Sequence, residues 1–563
     1  MKANIRIQII AVLTLMLTVN ACTDDYPMLN TPNNLVTEDL VDVNLLLTRV
    51  QAYSIVLEAP DGRGNVGNYC GMYVSEAGRP FNEGENAGLW NNTYSNYARN
   101  LSKIIQICQK RENASDLVNK IAIARIMKAW VFARCTDTYG DIPYSESCLP
   151  QEDAIYNPKY DTQKSIYEDL FKELKEAAAQ LDITKESYGS ADLVYKGDVT
   201  KWKKLANSLR LRLALRVRYV DAAMASSNIS DLNESNLITS RDDDAYIFTA
   251  TDYTENQSRA YNWLLQISST SKKDYIGKTM LDILIGNGDA HNPADPRIKV
   301  YADTAQASWP GTPGYEDIPF FGYRGRPLLG LVPVEEKYPY GAESCSRKPD
   351  LLYVPKLEMP LFRCTETYFA LAEAALFGLK GSAADAQTYY KKGLEAAMSW
   401  AKEFYENCVP QLPNVLGMFH PKWNADDISQ YLEYKKLTQD EIDTFLASPA
   451  ATLTGSDEEK LEQIINQKLI VLFPNEDEGW AEYRRTGYPR ILVGHDQDPL
   501  KGVIPRRFMY PTSEQTINSA SYKEAVDRMG GTDKMLNKIW WDTNPLSPHK
   551  HPGEVEWRER PWI

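Results

Sequence analysis

Histidine is scarce in this chain, with five in 563 residues, and two of them, His549 and His551, sit in a polar C-terminal stretch. So thin a supply argues against a zinc centre, and no HExxH helix is present. Cysteine is also sparse. Beyond Cys22 there are seven, Cys70, Cys108, Cys135, Cys148, Cys345, Cys364 and Cys408, an odd number at irregular spacing. They make neither a disulfide framework for a chain this long nor a zinc-ligand pattern, although a single bridge stays open. Cys135 and Cys364 fall in apolar helical patterns, where a thiol packs as a small hydrophobe. Positive charge falls short of negative, 62 Lys and Arg against 76 Asp and Glu, and the balance of −14 with no basic run excludes a phosphate backbone as partner. No GxSxG elbow occurs. Gly277-Lys278-Thr279 fails as a phosphate loop because Lys272 stands where the earlier glycine is required. Asp242-Asp243-Asp244 lacks the alternating spacing and glycine of a calcium loop and is expected to be a solvated turn. No metal or cofactor is expected, but 76 acidic residues guarantee accidental carboxylate pairs, so a surface glycoside hydrolase stays open as an alternative.

Long apolar runs are missing too, apart from residues 9–19 behind Lys2 and Arg6. That run is too short to span a bilayer comfortably, and its basic approach marks a secretory signal. It ends Val19-Asn20-Ala21-Cys22, which resembles a bacterial lipobox with an unusual Asn20. The resemblance implies cleavage after residue 21, lipid attachment at Cys22 and a firm membrane anchor, since each buried methylene contributes ~0.8 kcal/mol. Thr23-Asp24-Asp25 is similar to the surface-export signal of Bacteroidetes lipoproteins. Residues 22–36, with Pro27 and Pro32, read as a tether.

Behind the tether the pattern is helical. The strongest stretch is 121–145, whose first half is apolar around the whole axis, broken only by Arg125, Lys128 and Arg134; such a helix is buried on most sides. Gly140 suits a left-handed cap and Pro143 stops the helix. Further helices are expected at 43–59, from Gly88 onward, from Tyr160-Asp161, and across Trp202, Leu205, Leu209, Leu213 and Val217, with Lys201, Lys204 and Arg210 pointing elsewhere. Arg216 falls near that apolar face and calls for a buried carboxylate. Alanine-rich helices at 365–379 and 384–402 form a close pair like a degenerate tetratricopeptide repeat. Ser456 and Glu459 make a capping box for another helix. The scaffold is thus assigned to 37–60, 88–225 and 365–475, and a loop-rich part to 61–87, 240–360 and 476–563, within one domain from residue 37.

The looped stretches point to binding. Long irregular segments in a folded chain are usually functional, and Tyr outnumbers Phe by 34 to 14, which favours rings with polar tips on a wet surface. Sugars offer flat C–H faces to such rings and hydroxyls to amides. The candidate ligand residues are Tyr73, Trp90, Asn91, Asn92, Trp263, Trp309, Tyr315 and Tyr323. Trp90 also fits a buried helical stripe, so packing competes with ligand contact there. Trp540 and Trp541 are assigned to packing.

Four blocks in order carry a family likeness. They are Arg125-x4-Trp130 with Asp137-Thr138-Tyr139-Gly140-Asp141-Ile142-Pro143-Tyr144; Tyr195-Lys196-Gly197-Asp198 through Arg212; Glu366-x-Tyr368-Phe369-x-Leu371-Ala372-Glu373-Ala374; and Gly479-Trp480-x-Glu482-Tyr483-Arg484-Arg485-Thr486-Gly487-Tyr488-Pro489-Arg490. Together with the lipobox, the chain resembles the SusD/RagB outer-membrane lipoproteins. The likeness implies an all-α, tetratricopeptide-like right-handed helical superhelix of four helix pairs with a looped, ligand-facing half. It further implies a non-catalytic capture protein that caps a SusC-like TonB-dependent transporter at the outer membrane. Family members hold different glycans and some hold oligopeptides, so the ligand is not set by these blocks, which mainly keep the fold.

Overall fold

Apolar residues recurring at three and four fold most of this chain into helix in the computed structural model. It describes residues 40–57, 70, 72–75, 87–249, 274–289, 291–305, 322–328, 344–491 and 503–551, and all but 40–43 belong to one compact unit, Asn44–Ile563. In chain order, α1 (Val43–Gln51) runs through a π-turn to Leu57, β1 is Tyr73–Ser75, and α2 (Gly88–Asn92) continues through a second π-turn into α3 (Ala98–Lys110). Next come α4 (Val118–Tyr139), β2 (Ile142–Pro143), β3 (Tyr160–Asp161), α5 (Gln163–Gln180), α6 (Val199–Val217), α7 (Ala222–Ile229) and β4 (Ala245–Phe248). The middle holds β5 (Asp274–Ile276), α8 (Lys278–Ile285), α9 (Ile298–Tyr301) and β6 (Glu358–Phe362). The last part holds α10 (Cys364–Leu376), α11 (Ala383–Cys408), α12 (Leu412–Phe419), α13 (Ala425–Lys435), α14 (Gln439–Leu446), α15 (Asp457–Leu472), α16 (Glu476–Thr486), α17 (Thr512–Ile517) and α18 (Ser519–Arg528). The described strands make only short antiparallel pairs, β1–β5, β2–β3 and β4–β6. Consecutive helices pack as pairs, α3 on α4, α5 on α6, α10 on α11 and α15 on α16, which is the tetratricopeptide-like arrangement. Gly393 of α11 lets α10 come close, because a Cβ there would stand 2.9 Å from the Phe369 ring of α10.

Past its first residue, Val118, α4 is buried all round except at Arg125, Lys128 and Arg134, which are half-buried as their aliphatic stems allow. Arg125 forks onto Glu173 at 2.8 and 2.9 Å. Gly140 ends the helix at φ +88, ψ −126, a positive-φ conformation outside the left-handed helical basin that a cap of that kind would occupy. Tyr160-Asp161 pairs with Ile142-Pro143 instead of opening α5. The N-cap is Thr162, whose hydroxyl accepts from the Ser165 amide. The capping box at Ser456 and Glu459 forms as expected. None of the seven cysteines after Cys22 is in a disulfide, and Cys135 and Cys364 are buried.

The family-like blocks meet in a buried ionic network. Arg216 donates to Asp137 of α4 at 2.6 Å and to Glu478 of α16, which answers its need for a carboxylate. Arg212 forks onto Glu366 with two 2.6 Å bonds, and Arg485 bridges Glu373 and Glu482. Lys468 stands 3.2 Å from Glu482, and Arg218 reaches Glu373 at 2.7 Å. Asp137 also accepts from the Tyr167 hydroxyl at 2.5 Å and the Trp541 indole at 2.7 Å. Five helices, α4, α6, α10, α15 and α16, thus contribute charges of both signs to one buried cluster, where pairing offsets the cost of burial.

Three expectations change. Arg210 does not project to solvent; it is 2% exposed and pairs with Asp231 at 2.8 Å. Residues 476–563 are not wholly irregular, since α16, α17 and α18 lie there. The acidic triplet forms a turn, but of its three acids only Asp242 is exposed. Asp243 pairs with Lys204 at 2.7 Å, and Asp244, buried, accepts from the Cys364 amide at 2.6 Å beside Arg241. Burial pushes the Asp244 carboxyl up to about 6, against the pull of Arg241. A raised carboxyl favours folding below its unfolded value and loses that contribution as pH climbs through 6. Asp244→Asn should therefore gain on the wild type between pH 4 and 7, by up to ~3 kcal/mol, because each tenfold change in proton affinity is worth about 1.4 kcal/mol. Thermal unfolding at several pH values checks this, and a pH-independent difference would contradict it.

Candidate functional site

The looped half is rooted in one junction. β1 and β5 pair Tyr73 with Ile276 and Ser75 with Asp274. Tyr275 then bridges to Arg347 and Gly277 to Arg326. Backbone bonds from Asp303 to Arg347, Ala305 to Gly322 and Ser346 to Arg324 complete the junction. Residues 250–273, 306–321 and 329–343 each adjoin a segment of this junction in sequence. Trp263, Trp309 and Tyr315 fall in those stretches, outside the described residues, as do the signal region and Cys22. Tyr73 is placed by its backbone in β1. The pairing brings two stretches expected to face ligand, 61–87 and 240–360, to a common base.

The other candidates are spread apart. Tyr323 is 4% exposed, and its hydroxyl lies 2.5 Å from that of Tyr434, so it belongs to the core. Trp90 is 5% exposed and is packed against Tyr94, Tyr139, Tyr160 and Tyr510, with ring centroids 5.1 to 5.9 Å away. Asn91 is exposed, while Asn92 is half-buried and accepts from the Asn96 side chain at 2.9 Å. Helical spacing from Trp90 to Tyr94 and Tyr97 decides this: the ring that faces the core is the one in register with the buried stripe.

Trp90 and Asn91 do border a groove of about 1140 Å³ beside α2 and α3. Its helical wall carries Asn91, Ser95, Asn96, Arg99, Asn100 and Lys103. The facing wall carries Leu149, Ile155, Tyr156, Pro158 and Ile517. Between them the chain turns at Cys148, φ +56, whose carbonyl accepts from Gln106 at 3.4 Å and whose thiol is pushed up by burial. Tyr160 donates to Glu514 at 2.7 Å under the groove; burial, then that carboxylate, holds the phenol protonated well above its ordinary range. Sequence reading missed Arg99, Lys103 and Tyr156. Asn96, Asn100 and Lys103, four and three apart, share a polar helix face and were the available signal. Tyr156 stands in a short turn without periodicity and gave none.

Among the described residues no group of three or more His, Cys, Asp or Glu could hold a metal, and no helix is long and apolar enough to cross a membrane. His549 instead stacks on Tyr488 and lies 3.1 Å from Glu458.

A family model described as "starch-binding associating with outer membrane", of the SusD-like type, matches residues 73–511. Among solved structures, a chitin-binding protein is 28% identical with a TM-score of 0.69, covering 89% of this chain and 100% of its own. A SusD homologue from Bacteroides uniformis is 26% identical with a TM-score of 0.63, covering 90% and 100%. A chitin-binding SusD homologue from Flavobacterium johnsoniae, at 24% identity and a TM-score of 0.64, covers 89% and 99% and shares the fold. No curated protein sequence matches the chain significantly. With the family match running from β1 to the loop before α17 and the same helical architecture throughout, the chain belongs to the SusD-like family of outer-membrane-associated proteins.

Proposed function

We propose that this protein is a surface lipoprotein, anchored at Cys22, that captures an oligosaccharide and passes it to a SusC-like TonB-dependent transporter without breaking a bond in it. The observation that carries the reading is likeness to a chitin-binding protein over the whole of that protein's length, at 28% identity. The base formed by the β1–β5 pair and its bridges supports it, because Trp263, Trp309 and Tyr315 lie in stretches next to it in sequence, and aromatic rings suit flat sugar faces. Tyr73 at that base and the Asn91 and Asn92 amides would add contacts to hydroxyls. Calorimetry of the purified mature protein against neutral glycans, with Trp263→Ala, Trp309→Ala and Tyr315→Ala, tests it. Each change should weaken binding about tenfold, or ~1.4 kcal/mol. A transporter barrel should co-isolate with the native protein. An oligopeptide as the preferred ligand, or release of sugar products by the protein alone, would overturn the reading.

A further inference from the structure

We propose that the groove beside α2 and α3 is a glycan subsite in its own right, built for an oligosaccharide that carries carboxylates. The inference rests on the glycan reading above and narrows the ligand class at this place. Its two walls differ in chemistry. On the helical wall Asn96, Asn100 and Lys103 share a face, and Arg99 lies one turn before Lys103. Two cations at this spacing cost an isolated helix a few tenths of a kcal/mol. Arg99 is exposed and forms no ion pair among the described residues. Arg49 of α1, stacked on Tyr53 at 4.6 Å, adds a third cation to the lining.

The acids that border the groove are already engaged. Glu514 takes the Tyr160 hydroxyl, and Glu146 takes the Lys159 amide at 2.9 Å with the Lys159 ammonium 3.7 Å away. The lining carries three cations, Arg49, Arg99 and Lys103, against the two acids, so a protein of net charge −14 presents a weakly cationic trough here. The facing wall is apolar and open, with Tyr156 88% and Ile517 67% exposed. Exposed apolar side chains gathered on one edge of a groove mark a contact surface.

A uronate oligomer matches both walls. Each sugar offers a C–H face to Tyr156 and Ile155, hydroxyls to amides that both donate and accept, and one carboxylate to a guanidinium or ammonium. The volume exceeds the ~300–1,000 Å³ of pockets for single small ligands and suits a short chain. A peptide bound by strand addition would need free backbone groups on a sheet edge, and the strand residue in the lining, Pro143 of β2, has no N–H while its carbonyl already accepts from the Tyr94 hydroxyl at 2.7 Å.

The test is calorimetry of the mature protein with a galacturonate oligomer and with a chitin oligomer, at low and at about 0.5 M salt. The variants Arg99→Gln and Tyr156→Ala lie at exposed positions, where folding is little affected. The expected result is galacturonate binding that falls about tenfold in each variant and falls with salt, while chitin-oligomer affinity stays unchanged. Galacturonate binding indifferent to the variants, or binding of the chitin oligomer only, overturns the subsite and leaves the capture function standing. Binding of neither sugar also overturns the subsite, while the capture function is decided by the wider set of neutral glycans. Equal competition by oligoglutamate overturns the sugar assignment in favour of an acidic polypeptide.

Discussion

Replacing Arg216 by alanine is expected to destabilise the protein by about 3–5 kcal/mol, the range for a buried ion pair stripped of one partner. Arg216 is fully buried between Asp137 and Glu478, with Glu482 3.8 Å away. Without it, carboxylates on α4 and α16 face each other with that cation gone from between them. Burial would raise the Glu478 carboxyl, but Arg216 and then Arg212 outweigh it and hold it below its ordinary range. A depressed carboxyl stabilises the fold above its unfolded value and loses that contribution only as pH falls through its lower folded value. Arg216→Ala should therefore raise the pH at which acid unfolds the protein, as well as lowering the urea midpoint at pH 7. Arg210→Ala is the informative comparison. Arg210 is as deeply buried, but the Asp231 side chain is 46% exposed and can rehydrate when its partner goes. Its loss should cost clearly less. Equal costs would show that burial of the arginine, and not the abandoned carboxylates, sets the penalty.

That contrast also marks where the sequence was legible. Helix α4 could be read because its buried faces are apolar, and α6 because its stripe repeats at helical spacing. α16 defeated the same logic. Every residue from Glu476 to Thr486 except Asp477 is buried, yet the segment EDEGWAEYRRT reads as polar. Its acids fill the first turn and its arginines the last, in harmony with the helix dipole, and charges supplied by other helices neutralise what it buries. Hydropathy cannot reveal a partner that lies hundreds of residues away. Asp243 and Asp244 failed for a nearer reason, since the cations that cover them, Lys204 of α6 and Arg241 of their own turn, meet them only once the chain is folded. At the candidate site, Trp90 and Tyr323 were picked for their chemistry, but rings in phase with a buried stripe or a core tyrosine are spent on packing. Tyr156 stands out only by its exposure, which a string of letters does not contain.

Trp541 carries the second large effect, since it joins the C-terminal segment to the same network. Its indole is fully buried, donates to Asp137 at 2.7 Å, and lies under the guanidinium groups of Arg484 and Arg216 at 4.8 and 5.2 Å. Trp541→Ala should cost about 3–5 kcal/mol through the cavity alone. Trp541→Phe keeps most of the volume and removes the N–H, so it should cost about 1.5–3 kcal/mol, the range for a hydrogen bond to a charged group. Just beyond Trp541, Asp542 pairs with Arg506, Ser547 donates to the Arg484 carbonyl at 2.8 Å, and the His549 amide reaches the Gly487 carbonyl. Loosening the indole should release that run of contacts together. Limited proteolysis of Trp541→Ala should then cut within 541–551 well before the helical pairs yield, whereas Trp541→Phe should stay intact. If Trp541→Phe costs nothing, the bond to Asp137 contributes nothing and the ring acts by volume alone; if it costs as much as Trp541→Ala, the bond carries the whole effect. If neither exposes the segment, its hold must come from the Arg506–Asp542 pair, and Asp542→Asn becomes the variant that frees it.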